Sequence, residues 1–94
     1  MTFVLVVDDE PAILRTLRIN LKARGYEVET AADGRSALQI ARERTPDVVV
    51  LDLGLPDGDG LDVARAIRRT SSLPIIMLTA RTDEADTLIG LELG

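Results

Sequence analysis

Neither cysteine nor histidine occurs anywhere in these 94 residues. The first absence excludes disulfide frameworks, thiol nucleophiles and Cys-ligated zinc, and the second excludes imidazole acid–base chemistry. Any chemistry must therefore come from carboxylates, hydroxyls and the backbone. Aromatic residues are limited to Phe3 and Tyr26, and Lys22 is the only lysine. Apolar runs are short: residues 4–7 and 48–51 fall far below the roughly 20 residues of a membrane span. No charged-then-apolar signal peptide opens the chain. These features describe a soluble, cytoplasmic protein with no membrane association. The formal charge of −5 argues against direct nucleic-acid binding by this segment, because gripping a phosphate backbone depends on clustered Lys and Arg.

What is present is apolar content of 46%, enough for one core, and at this length a single domain over 1–94 is expected. The apolar residues are arranged in a repeating order. Residues 3–7 form a short apolar run, Pro11 suits a first helical position, and Ile13, Leu14, Leu17 and Leu21 follow at helical spacing until Gly25. Residues 26–31 alternate as a half-buried strand does. Asp33 is then a candidate N-cap for a helix whose apolar face carries Ala37, Leu38, Ile40 and Ala41, ending before Pro46. The β-branched run 48–51 predicts a strand covered on both faces. A Pro/Gly/Asp loop over 54–60 leads from it into a helix carrying Leu61, Ala64 and Ile67. A fourth unit has a strand over 74–78 and a helix over 84–93, with Gly94 as its C-terminal cap. Strand alternating with helix through short links predicts a doubly wound α/β domain with a parallel sheet.

In such sheets ligands bind outside the carboxyl ends of the strands. The residues that follow the apolar runs are Asp8, Asp9 and Glu10, then Asp52, then Thr79 and Ala80. Carboxylates gathered in one pocket repel one another, and a cation relieves that repulsion. Magnesium suits it, being a hard ion that takes carboxylate and phosphate oxygens and keeps several waters. Asp8 and Asp9 also admit a plainer role as acidic residues ahead of a helix N-terminus, Asp52 as a turn residue, and Thr79 as a β-branched strand end. The apolar setting of Asp52 favours a carboxylate that attacks phosphorus to form an acyl phosphate, with the Thr79 hydroxyl bonding a phosphoryl oxygen.

Two other motifs fail on spacing. Gly58-Asp59-Gly60 resembles the start of a dinucleotide loop, but Val63 stands where the third glycine belongs. A calcium loop counted from Asp57 reaches Arg68 where a bidentate Glu is required. Asp59 is better read as a cap for the helix beginning near Gly60. A phosphohydrolase of the haloacid-dehalogenase type would place a second Asp two residues after Asp52, and Gly54 stands there instead.

Three segments in order carry a resemblance: Val6-Val7-Asp8-Asp9-Glu10-Pro11; Asp47-Val48-Val49-Val50-Leu51-Asp52-Leu53-Gly54-Leu55-Pro56; and Pro74-Ile75-Ile76-Met77-Leu78-Thr79-Ala80-Arg81. Together they resemble the receiver (CheY-like) domain of bacterial two-component response regulators, and residues 79–94 look most like its OmpR/PhoB-type subclass. The resemblance implies a flavodoxin-like sheet in the order 2-1-3-4. It implies phosphorylation at Asp52, Mg2+ held by Asp9, Asp52 and the Gly54 backbone carbonyl with Asp8 acting through water, and a switch at Thr79 and Ala80. It implies a signalling phosphoacceptor, not a turnover enzyme. The implied partner is a sensor histidine kinase, and the implied output is DNA binding and transcription regulation by a domain outside this segment.

Family members also carry a fifth strand with a phosphate-contacting lysine, and a fifth helix. The chain is expected to stop before both, and Lys22, on the first helix, cannot substitute for that lysine. Two consequences are expected: a phosphorylation-independent interaction module becomes the alternative function, and the strand over 74–78 becomes an apolar edge open to self-association or homodimer formation. Asp86 and Glu92 are the expected remnants of the family's dimerisation face.

Overall fold

The computed structural model describes residues 1–52, 55 and 60–78. Among the described residues four strands, β1 (Phe3–Val7), β2 (Glu27–Ala31), β3 (Val48–Asp52) and β4 (Ile75–Leu78), alternate with three helices, α1 (Pro11–Ala23), α2 (Gly34–Glu43) and α3 (Gly60–Arg68). All strand pairs are parallel, and the order across the sheet is β2-β1-β3-β4, the order the resemblance implies. The predicted helix over 84–93, its cap Gly94, loop residues 54 and 56–59 with Asp57 and Asp59, and Asp86 and Glu92 lie outside the described residues.

β1 is buried along its whole length because it is central and covered on both faces. Side chains alternate across a strand, so its residues serve two cores. Leu5 and Val7 join Ala37, Val49, Leu51, Val63, Ile67, Ile75 and Met77 beneath α2 and α3. Val4, Val6 and Val28 lie under α1, which contributes Leu14, Leu17 and Leu21. The α1 stripe is narrower than the apolar spacing suggests. Ile13, one step round the helix from Leu14, is 36% exposed and does not join that core.

The helix ends follow local chemistry. Pro11 opens α1, where its missing N–H costs nothing. Gly25 closes the turn after α1 with φ +93, a left-handed conformation that only glycine adopts without penalty. Asp33 caps α2 by accepting the N–H of Ser36 at 2.8 Å. The second strand begins one residue later than its sequence alternation suggests, at Glu27, leaving Tyr26 exposed. In α3 the buried positions are Gly60, Val63 and Ile67, while Leu61 and Ala64 pack at the border of the core.

The amino ends of the strands are braced by long-range contacts. Phe3 N–H donates to the Asp47 carboxylate at 2.7 Å, and Asp47 N–H donates to the Phe3 carbonyl at 2.8 Å. The Arg44 guanidinium lies 4.2 Å from the centre of the Phe3 ring and pairs through both terminal nitrogens with the Glu27 carboxylate. One arginine thus joins the α2–β3 link to β1 and β2.

Two expectations follow. Asp33→Ala should destabilise the fold by about 1 kcal/mol, lowering the Tm in a circular-dichroism melt by about 4–8 °C. Hydrogen bonding to Arg44 and its charge hold the Glu27 carboxyl below its ordinary value of 4.5. A carboxyl lowered on folding adds stability above its unfolded pKa and loses it as the pH falls through the folded value. The stability difference between wild type and Glu27→Gln should therefore be constant at neutral pH and fade below 4.5, as read from urea unfolding at a series of pH values.

Candidate functional site

The ladder that pairs Val6 with Val50 and Val7 with Leu51 brings the carboxyl ends of β1 and β3 out side by side. Asp8, the residue after β1, and Asp52, the last of β3, consequently stand on neighbouring strands at the same end of the sheet. Asp9 completes the group. One carboxylate oxygen from each of Asp8, Asp9 and Asp52 lies within 4.8 Å of the others. Asp8 is buried, Asp52 is half-buried and Asp9 is exposed, so the cluster grades from the core to solvent.

Asp8 is the most constrained of the three. It is 3% exposed, its N–H donates to the Ala31 carbonyl at 3.1 Å, and its Oδ1 accepts the N–H of Glu10 at 2.9 Å. That second bond fixes the carboxylate in an Asx-type turn. It also decides the plainer reading of Asp8 as a helix cap. The N-cap residue of α1 is Glu10, which makes no side-chain cap bond, and the Asp8 carboxylate takes the N–H of Glu10 and not one of the helix's own first-turn amides. The sequence reading did not single out Glu10 N–H. Its signal was present, since an Asp two residues before a helix-opening Glu-Pro pair is placed to form such a turn.

A nearly buried carboxylate beside two others is costly unless a cation compensates the charge. The donor set is all oxygen, and its spacing lets a small divalent ion with bonds of about 2.1 Å be held directly by some oxygens and through water by others. These residues fit magnesium. Gly54, Thr79 and Ala80, the other site residues expected from the sequence, lie outside the described residues. Leu55 is 7% exposed and packs into the core under α2 and α3. A groove of about 500 Å³ lies at the far ends of α2 and α3, lined by Arg42, Thr45, Arg69 and Thr70 among others, and none of the three acids reaches it. Among the described residues no helix is long and apolar enough to cross a membrane.

Comparison with known proteins adds three findings. Residues 4–94 match the family model described as the response regulator receiver domain. Over all 94 residues the chain is 56% identical to the transcriptional regulatory protein KdpE of Mycobacterium tuberculosis and 48% identical to the transcriptional regulatory protein AfsQ1 of Streptomyces coelicolor. It spans 42% of the length of each. Among solved structures, the Vibrio cholerae chemotaxis protein CheY4 superposes with a TM-score of 0.88 at 39% identity, over 100% of this chain and 81% of that one. The Thermotoga maritima response regulator TrrA, in complex with Mg(2+)-BeF, does so with a TM-score of 0.86 at 39% identity, over 98% and 81% of the two chains.

Magnesium should raise the Tm of this chain in differential scanning calorimetry, by the equivalent of about 2.7 kcal/mol when the free ion is a hundredfold above its Kd. Asp8→Asn or Asp9→Asn should abolish that response while leaving the metal-free Tm equal or higher, because one repelling charge has gone. A wild-type Tm indifferent to magnesium would refute the assignment.

Proposed function

Because this chain belongs to the response regulator receiver domain family, we propose that it accepts a phosphoryl group on Asp52 from a phosphohistidine of a sensor histidine kinase, in a magnesium-dependent reaction. The observation that carries this reading is the convergence of Asp8, Asp9 and Asp52 at the carboxyl ends of β1 and β3. An Asp52 carboxylate oxygen attacks phosphorus, the P–N bond breaks, and the displaced imidazole nitrogen takes up a proton. Magnesium, when bound, neutralises the carboxylates and the incoming phosphoryl oxygens. Asp9, Asp52 and the Gly54 carbonyl would hold the ion, with Asp8, steadied by Glu10 N–H, supporting it through water.

The consequence is a change of state and not turnover of a substrate. Phosphorylation adds about −1.5 to −2 charge at Asp52. The Thr79 hydroxyl moves to bond a phosphoryl oxygen, Ala80 follows it, and the neighbouring surface repacks. The same site promotes its own phosphorylation from small donors and its own dephosphorylation. Receiver domains are signalling domains, and the relatives KdpE and AfsQ1 are named as transcriptional regulators. The output proposed here is accordingly transcription regulation in the cytoplasm, with DNA contact made by a part of the protein outside this acidic segment.

The test is intact-protein mass spectrometry after incubation with acetyl phosphate and magnesium. Wild type should gain one phosphate and Asp52→Asn none. Absence of an adduct from both would favour the other reading, an interaction module that works without phosphorylation.

A further inference from the structure

The groove between the far ends of α2 and α3 takes no part in the acid cluster, and its chemistry is of the opposite kind. Leu38 and Ala41 of α2 supply one apolar wall, Ala66 and Ile67 of α3 the other, and Leu73, on the way into β4, closes it. Alanines on both walls leave the space between the helix ends open, against the close packing usual beneath a helix pair. Its volume of about 500 Å³ falls within the range of small-molecule pockets, about 300–1,000 Å³.

The chain carries a net charge of −5, yet no carboxylate lines this groove. Arg42, in the last turn of α2, and Arg69, just past the end of α3, line it instead. The neighbouring arginines are occupied: Arg44 pairs with Glu27, Arg65 with Asp62, and Arg68 donates to the Leu73 carbonyl. Among the described residues Arg42 and Arg69 have no hydrogen-bond or ion-pair partner. Each also suits the plainer role of offsetting the partial negative charge at a helix C-terminus. That role does not account for an acid-free groove with aliphatic walls between them.

The groove is held open without a ligand. Both backbone groups of Leu73 are engaged, its carbonyl by Arg68 and its N–H by Ser71 Oγ at 3.2 Å. A wall fixed in advance lowers the ordering cost of binding.

We propose that this groove binds a small aliphatic carboxylate, with the head held by Arg42 and Arg69 and the chain lying along Leu38, Ala41 and Ala66, a site that goes beyond the phosphoacceptor function. Guanidinium groups match a carboxylate in both charge and hydrogen-bond geometry. The two helix C-termini oppose a highly charged head, which favours a carboxylate over a phosphate dianion. No aromatic side chain lines the groove, so an aliphatic body suits it better than a stacked base.

Titration with octanoate, followed by amide chemical shifts in nitrogen-15 NMR, tests this, with acetate and 1-octanol as head-only and chain-only controls. Octanoate should give a saturable response centred on Ala41, Arg42, Ala66 and Arg69, and each control should bind at least about tenfold more weakly. Arg42→Gln and Arg69→Gln should each weaken octanoate by about tenfold, with Tm unchanged because neither guanidinium has a partner to lose. Ala66→Leu, which fills the groove, should abolish the response while its circular dichroism stays that of wild type. The proposal is overturned by an octanoate response that does not saturate or lies elsewhere, by equal binding of 1-octanol, or by affinity indifferent to both arginine variants. None of these readouts involves phosphorylation or magnesium, so failure here and failure of the phosphoacceptor reading are separable.

Discussion

The parallel register between β1 and β3 is the constraint on which the rest depends. It pairs Val7 with Leu51 and so brings Asp8 and Asp52 out at one level on adjacent strands. A one-residue slip would turn Val4 and Val6 from the α1 core towards α2 and α3 and would separate the two acids. The register is held by burial: Leu5, Val6, Val7, Val49 and Leu51 have no solvent exposure. Two uncovered cores would follow from any shift. The same packing that stabilises the sheet therefore holds carboxylates together against their mutual repulsion.

The opposite end of the sheet supplies the complementary restraint. There Asp47 and Phe3 exchange two hydrogen bonds, and Arg44 lies over the Phe3 ring while holding Glu27. These contacts pin the amino ends of β1 and β3 and the start of β2. Acidic residues serve both ends, with opposite roles. Asp47 and Glu27 are satisfied by an amide and a guanidinium and act as structural ties, whereas Asp8, Asp9 and Asp52 are grouped with one another. Composition alone does not separate these roles; the partner each acid meets does.

Much of this was legible in the sequence because period and local chemistry agree. Apolar runs marked β1, β3 and β4, alternation marked β2, Pro11 marked the start of α1, and Asp33 marked the cap of α2, since each signal is confined to a few neighbouring residues. The acids at the strand ends were legible for a related reason: in a parallel sheet, the residue after an apolar run lands at the carboxyl edge. The Phe3–Arg44–Glu27 brace was not legible, because its members sit on different elements and follow no period. Val63 was passed over because it had been weighed only as a missing glycine in a loop motif, yet it is buried against Ile67 and the sheet. Ile13 erred the other way. Its neighbour Leu14 faces the core, and a step of about 100° round the helix carries Ile13 to the border.

The sheet also sets what the site can influence. Asp52 is level with Leu78 in the β3–β4 ladder, so a charge added at Asp52 falls beside the carboxyl end of β4. Ile76, midway along that strand, is two residues away. Packed strands shift as units and not continuously, so a displacement at the Leu78 end would be carried along β4. The position of Asp52 at the end of β3 thus sets any charge it receives beside the carboxyl end of β4.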